Sequence, residues 1–280
     1  MNKLLIFGYG YTATHIAASL DKNLWNIIGT TRSLQANNNI IKYNKEQISQ
    51  VLPIITHIII SIPPKEMGDQ VLDEFEGLLS LAINLKWIGY LSSSSVYGDH
   101  NGEWVNESTN LKPVSKRAKN RVLAEKQWLD YGKKNNITIN IFRLAGIYGP
   151  KRNALKSVKE KQANSILKEG HCFSRIHVED IANIVKLAMI NNSISEIYNL
   201  ADDYPCPTYE VNDLAAKLLC MKAPPIIKFS EAVLSPMAKE FYADHKKVSN
   251  KKIKTQLLVK LKYPTFLEGL TGIFYKSANR

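Results

Sequence analysis

A short apolar run, Lys3-Leu-Leu-Ile-Phe7, ends on Gly8-Tyr-Gly-Tyr-Thr-Ala13, and a helix-like stretch follows with apolar positions at Ile16, Ala17 and Leu20. Strand, then G-x-G-x-x-(G/A), then helix is the phosphate-binding turn of a dinucleotide fold, and it constrains this chain more than any other feature. Gly8 allows the tight turn, Gly10 lets the backbone approach a pyrophosphate, and Ala13 is small enough for the helix to lie close on the strand. Tyr11 and Thr12 complete the turn, where the helix N-terminus offers N–H groups and the positive end of its dipole to phosphates.

Apolar runs alternate with helical stretches through the first two-thirds of the sequence. Strands read at Leu4–Phe7, Asn26–Thr30, Ile40–Tyr43, His57–Ser61, Trp87–Leu91 and Thr138–Arg143. Helices read near Thr12–Leu20, Lys45–Leu52, Asp69–Leu85 and Val114–Lys134. Near-continuous runs such as Ile58-Ile-Ile60 predict strands covered on both faces. The alternation predicts an α/β fold built on a doubly wound parallel sheet. Further on, Val178–Ile190 reads as a helix opened by Glu179 and Asp180, whose charge suits a helix N-terminus. Ile197–Leu200 reads as a strand, and Thr208–Leu219 as a helix with Thr208 as its N-cap. From Pro224 onward the pattern turns irregular, which predicts a small, loop-rich C-terminal substrate lobe. The expected division is a cofactor core over 1–150 and a mixed region over 151–280, the latter with returning core elements at about 177–200.

The 280 residues carry a net charge of +12, with basic residues recurring over Lys116–Lys126, Lys151–Lys161 and Lys246–Lys262. Acidic residues are interspersed (Glu125, Glu160, Glu169), aromatics do not alternate with the basic ones, and no helix-turn-helix or RNA-binding signature is visible. The charge therefore reads as solvated helix faces plus a site that attracts a polyanionic cofactor and substrate, with no nucleic-acid partner. No apolar stretch approaches the ~20 residues of a membrane span, and the greasiest run, Ile54 to Ile62, is interrupted by His57. Cys172, Cys206 and Cys220 are widely spaced and form no C-x-x-C pair, so the expectation is reduced thiols in a cytoplasmic protein, without a disulfide framework or a metal site.

Cofactor type reads at the end of the second strand, Thr30-Thr-Arg-Ser33. An NAD-preferring fold tends to carry Asp or Glu there for the ribose 2′-hydroxyl, whereas Arg suits a 2′-phosphate. Thr31, Arg32 and Ser33 supply a guanidinium and hydroxyls for charge-assisted bonds, so NADP is favoured and NAD is the alternative. The plain reading of Arg32 is that it covers the sheet edge.

The order of further segments resembles the extended short-chain dehydrogenase/reductase superfamily, the group of nucleotide-sugar epimerases and dehydratases. The matching pieces are the Gly8–Ala13 turn, Leu91-Ser-Ser-Ser-Ser-Val-Tyr-Gly98, Arg143-Leu-Ala-Gly-Ile-Tyr-Gly-Pro150, Arg175-Ile-His-Val-Glu-Asp180 and Tyr198-Asn-Leu-Ala201. Phe241 to Asn250, with Tyr263-Pro264 and Gly269-Leu270, resembles the end of the substrate lobe in an atypical bacterial subgroup of nucleoside-diphosphate-sugar epimerase-like proteins. The resemblance implies a Rossmann-type core and further cofactor contacts at Ser61, Ile62, Pro63, Ser92, Leu144 and Ala145. It also implies substrate contacts at Tyr97, Arg152, Arg175, His177 and Tyr242. The bland readings are packing for Tyr97, surface pairing for Arg152 and Arg175, and a helix cap for His177 beside Asp180.

The family reaction uses a Tyr-x-x-x-Lys pair on the helix after the serine motif, the lysine lowering the phenol's pKa from near ~10. By spacing from Pro113 to Glu125, the tyrosine position falls on Arg117 and the lysine position on Arg121. Arginine stays protonated and only donates, so Arg117 cannot act as a general base, while Arg121 retains a role on ribose or phosphate. Tyr242-Ala-Asp-His-Lys246 is the only Tyr-x-x-x-Lys in the chain, and it falls in the substrate lobe. The catalytic candidates are Ser93, Ser94, Arg121 and Tyr148. Two functions are open: an atypical NADP-dependent oxidoreductase or epimerase-like enzyme acting on a nucleotide sugar or similar polar metabolite, or a non-catalytic NADP(H)-binding sensor or scaffold. A small-molecule substrate is the expected partner, no membrane is, and a homodimer is allowed.

Overall fold

Four consecutive buried side chains, His57 to Ile60, mark the middle of a sheet that is covered on both faces. The computed structural model describes residues 1–33, 39–191 and 194–278. In chain order the strands are β1 (Asn2–Phe7), β2 (Trp25–Thr31), β3 (Ile40–Lys42), β4 (His57–Ile60), β5 (Trp87–Ser93), β6 (Trp104–Val105), β7 (Thr138–Leu144), β8 (Gly146–Tyr148), β9 (Ser165–Leu167), β10 (Arg175–His177), β11 (Glu196–Leu200), β12 (Ile226–Lys228) and β13 (Lys247–Val248). The α-helices are α1 (Tyr11–Ser19), α2 (Lys45–Val51), α3 (Gln70–Leu79), α4 (Lys116–Asn135), α5 (Ala154–Lys159), α6 (Val178–Ile190), α7 (Thr208–Leu218), α8 (Pro236–Ala243), α9 (Lys251–Gln256) and α10 (Phe266–Ala278).

Seven strands form one sheet in the order β11-β7-β5-β4-β1-β2-β3. Leu4 to Phe7 of β1 pair in parallel with His57 to Ile60 of β4 on one side, and β2 runs parallel to β1 on the other. The chain thus steps outward from β1 to β3 and returns to β4, so the order reverses beside β1, the place where open α/β sheets bind ligands at their strand C-termini. Leu5, Phe7, Ile58, Ile60, Phe75, Ile88, Tyr90, Trp128 and Ile139 lie in the core that joins the sheet to its helices. At roughly 25 cal/mol per Å² of apolar surface, each large side chain in it contributes about 1.5–3 kcal/mol.

Helix starts follow local chemistry. The Asp69 carboxylate accepts from the Val71 and Leu72 amides and caps α3, and Ser115 caps α4 by accepting from the Ala118 amide. Asn136 ends α4 in the left-handed region (φ 52°), which a short amide side chain tolerates. Two expectations are corrected here. The helix read as Asp69–Leu85 stops at Leu79, because the following apolar residues close tight turns such as Leu81 N to Leu78 O and Ala82 N to Leu79 O. Thr208 is the first residue of α7 rather than its cap, a place taken by Pro207, which offers no side-chain bond.

The chain divides into two compact units, and both are drawn from separate stretches. The first holds Met1–Val96, Pro113–Arg143 and Ile181–Tyr198; the second holds Tyr97–Lys112, Leu144–Asp180 and Asn199–Arg280. The second has its own core, with Tyr148, Leu155, Val158, Val211, Ala215, Phe266 and Leu270 buried together. The region after Pro224 is less irregular than the sequence pattern implied, since α8, α9 and α10 lie within it and α10 spans 13 residues. Among the described residues no helix is long and apolar enough to cross a membrane.

Candidate functional site

The turn after β1 has the shape its glycines predict. Gly8 sits at φ +87°, and a Cβ there would lie 2.8 Å from Ile62 Cγ1, so only glycine fits. The Gly8 amide donates to Thr30 Oγ1 at 3.0 Å and the Tyr9 amide to the Thr30 carbonyl at 2.9 Å, which ties the turn to the end of β2. Gly10 is different: a Cβ built there meets nothing within 4 Å. Its lack of a side chain is not a packing demand of the protein, and it leaves open backbone where a pyrophosphate would lie. The α1 ladder begins with Thr14 N to Gly10 O, so the amides ahead of it are those a helix leaves to a ligand. Ala13 is wholly buried and Thr12 nearly so, which seats α1 close on the sheet. These residues fit a dinucleotide.

At the end of β2, Thr31 and Ser33 share a hydroxyl–hydroxyl bond of 3.0 Å. Arg32 is exposed, but its guanidinium is held: Nη2 donates to Gln70 Oε1 at 2.8 Å, and Cζ stands 5.3 Å from the Tyr43 ring centroid. Gln70 in turn donates through Nε2 to the Pro63 carbonyl at 2.5 Å. The segment after β4 is thereby joined to Arg32, with Ser61 fixed by its amide bond to the Phe7 carbonyl at 2.9 Å. Burial and the Glu74 charge raise the Tyr43 phenol above its ordinary range, so it stays neutral as a stacking surface. Sequence reasoning singled out Arg32 but not its neighbours Gln70 and Tyr43, since neither carries a motif.

Strand β5 delivers the serine cluster. Ser93 and Ser94 are half-buried, and Ser93 Oγ accepts the Ser95 amide at 3.2 Å. Ser92 points the other way: it is buried and donates to Glu125 Oε1 at 2.5 Å. The cofactor contact expected of Ser92 therefore has no surface to act through. Helix α4 places Arg121 half-buried, with Nη1 donating to the Leu91 carbonyl at 3.1 Å, while Arg117, one turn earlier, is exposed. Glu125 lies one turn beyond Arg121 on the same face of the helix.

Residues of the second unit take mostly structural places. Tyr97 is fully buried and donates to Asn199 Oδ1 at 2.7 Å, which withdraws it from substrate. His177 is also fully buried; its Nδ1 accepts the Glu179 amide at 3.1 Å, the cap reading, and its ring lies against Tyr148 and Tyr263. Tyr148 is buried and donates to the Thr265 carbonyl at 3.2 Å. Burial, helped by the Asp202 and Asp180 charges, pushes its phenol far above the ordinary value, which unfits it for proton exchange near neutral pH. Arg175 Nη1 donates to the Phe173 and Cys206 carbonyls, both at 2.9 Å. Tyr242 packs against His171, Phe173 and Phe229, and its partner in the Tyr-x-x-x-Lys match, Lys246, pairs with Asp244 at 3.2 Å. Arg152 is exposed, Leu144 and Ala145 are buried, and the Ala145 amide donates to the Leu200 carbonyl at 3.0 Å.

The sheet order, the glycine turn and the switch point beside it define a Rossmann-type α/β fold. Residues 76–201 match the model of the NAD dependent epimerase/dehydratase family. Its fold is similar to that of a functionally unknown conserved protein from Silicibacter pomeroyi (38% identity, 99% of each chain covered, TM-score 0.91). It is also similar to dTDP-glucose 4,6-dehydratase from Bacillus anthracis in complex with NAD (17% identity, 100% and 97% covered, TM-score 0.78). A third similar structure is the human epimerase family protein SDR39U1 with NADPH (14% identity, 98% and 99% covered, TM-score 0.76). A comparison with curated proteins found no match.

Proposed function

We propose that the protein binds NADP(H) and acts, without a tyrosine base, on a hydroxyl or carbonyl of a nucleotide sugar or a similar polar metabolite. The observation that carries this reading is the pairing of an open Gly10 turn with a guanidinium held at the end of β2. The amides at the start of α1 would hold the pyrophosphate beside the bare Cα of Gly10, and Arg32, Thr31 and Ser33 the 2′-phosphate. A nicotinamide group supplies hydride exchange when bound. Ser93 or Ser94 would orient the substrate oxygen, and Arg121 would act as an electrostatic clamp on ribose or phosphate, since it cannot release a proton. The family-model match and the dTDP-glucose 4,6-dehydratase likeness support a nucleotide sugar as the substrate class.

A second reading, a cofactor-bound sensor or scaffold without turnover, is favoured by two observations: Arg117 is exposed and Tyr148 is held neutral. A thermal-shift series with NADPH, NADH and nucleotide sugars, followed by a cofactor-absorbance assay, separates the two. A ligand that binds only the native state at 100 times its Kd adds about 2.7 kcal/mol of stability. Stabilisation by NADPH with conversion of the sugar, followed by product analysis as well as absorbance, supports the enzyme; stabilisation with neither conversion nor absorbance change supports the sensor; no stabilisation by either dinucleotide overturns both.

A further inference from the structure

Arg32 has five N–H donors on a long side chain, and its use to a phosphate depends on how it is held. Gln70 is the first residue of α3 and only 6% exposed. Its amide has two partners that fix which way round it faces. The Pro63 carbonyl only accepts, so it takes Nε2 (2.5 Å), and the guanidinium only donates, so it faces Oε1 (2.8 Å). Asp69, which caps α3, holds the backbone of this turn through the Val71 and Leu72 amides. Tyr43 covers one face of the same guanidinium.

We infer that Gln70 determines cofactor specificity by positioning Arg32 for a 2′-phosphate; this rests on the NADP reading above. Two features of the geometry make glutamine fit the task. It is uncharged, so it orders the guanidinium without cancelling the positive charge that a phosphate dianion needs. It takes a single N–H, and among the described residues no other side chain is bonded to the guanidinium, which suits two-point recognition of phosphate oxygens. A glutamate at this position would fail on both sides. It would set an oxygen against the Pro63 carbonyl, and its charge would pair with Arg32 and repel the incoming phosphate. An apolar residue of the same length would release Arg32, and ordering the side chain would then be charged against binding. NAD(H) lacks the 2′-phosphate, so its affinity should be indifferent to all of this.

The test is titration of the full chain with NADPH and with NADH, for the unmutated protein and for Arg32→Ala, Gln70→Glu and Gln70→Met. The unmutated protein is expected to prefer NADPH, and Arg32→Ala to narrow that preference by about ten-fold or more. Gln70→Glu should narrow it by a similar factor and Gln70→Met by about three-fold, each through weaker NADPH binding, with NADH affinity held within about two-fold. Intact NADH binding also reports that each variant is folded. If Arg32→Ala removes the preference while both Gln70 variants keep it, the inference about Gln70 is overturned and the NADP reading stands. Equal loss of NADPH and NADH binding in both Gln70 variants also overturns it, because the residue would then serve the turn rather than specificity. Equal affinities in the unmutated protein would remove the NADP reading and this inference together.

Discussion

Glu125 of α4 grips Arg143 of β7: Nη2 donates to Oε2 at 2.8 Å and Nε lies 3.2 Å from both carboxylate oxygens, with each side chain 4% exposed. Ser92 of β5 donates to the same carboxylate at 2.5 Å, so one buried acid ties a helix to two neighbouring strands of the sheet. A pair this deep gains from its geometry only because each charge is answered; removing one partner leaves the other uncompensated. Glu125→Leu or Arg143→Met alone should therefore cost about 3–5 kcal/mol, seen as a lower urea midpoint. The double variant should recover much of that loss, because an apolar pair carries no desolvation penalty. Additive losses in the double variant would contradict this account.

The two glycines of the first turn should separate stability from binding. Gly8→Ala forces a side chain into a positive-φ residue against Ile62 and should lower stability by about 1–3 kcal/mol. Gly10→Ala meets no protein atom within 4 Å, so its unfolding midpoint should stay near that of the unmutated chain. Its dinucleotide affinity should nonetheless fall by about ten-fold or more, because the methyl group would stand on the path proposed for the pyrophosphate. Unchanged NADPH binding in Gly10→Ala, measured by calorimetry, would remove that turn from the cofactor site.

The core of the fold was legible because its signals are local and periodic: the apolar runs of β1 and β4, the glycine turn, and Val178–Ile190, read with the same bounds the helix has. Errors fell where local and tertiary signals part. Leu81, Ala82 and Leu85 continue an apolar pattern, yet they close turns and do not extend α3. The same divide explains the site. Arg32 could be placed from the residues beside it, but Gln70 lies 38 positions away and meets it only because β2 and α3 converge. Ser92 and Ser93 are adjacent in a run of four serines, and strand alternation turns them to different surroundings, one onto Glu125 and the other beside Ser95. Whether a tyrosine in a glycine turn faces ligand or core is likewise set by burial, and Tyr97 and Tyr148 are both inside.

Asp202 gives the protein a pH dependence with a defined sign. It is 1% exposed, and burial, with the Asp203 and Asp180 charges, pushes its carboxyl up to about 7 against the opposing pull of the Tyr204 amide and Arg175. The folded state thus keeps a proton that the unfolded chain sheds near 3.8. Its contribution to stability is full below the unfolded value and is lost as pH rises through about 7, a loss of up to about 4 kcal/mol. Asp202→Asn should be more stable than the unmutated protein at pH 8 and should flatten the slope between pH 4 and 7. His57 and His171 act oppositely: burial lowers both to about 4, so their contribution is present above 6.5 and lost as pH falls toward 4. A slope unchanged in Asp202→Asn, followed by thermal unfolding across this range, would assign the dependence to the histidines alone.

On the proposed reading, the arginines of α4 set how much chemistry the protein performs. Arg121 is held against the Leu91 carbonyl, and four residues earlier Arg117 is exposed at the position that sequence spacing assigns to the family's tyrosine. Arg121→Ala should weaken NADPH binding by about ten-fold, because a charge-assisted contact to ribose or phosphate is lost. Ser93→Ala should leave binding within about two-fold and lower turnover, since its hydroxyl would meet substrate rather than cofactor. General acid–base help is typically worth ~10²–10⁴ in rate, so the unmutated protein should turn over a nucleotide sugar slowly. Arg117→Tyr restores a phenol one helical turn from a fixed positive charge that favours its ionised form. It should raise turnover by at least about ten-fold and shift the pH–rate profile toward a group with a lowered phenolic pKa. Rapid epimerisation by the unmutated protein would mean that a base outside Ser93, Ser94, Arg121 and Tyr148 performs the proton transfer, and this account of α4 would then fail.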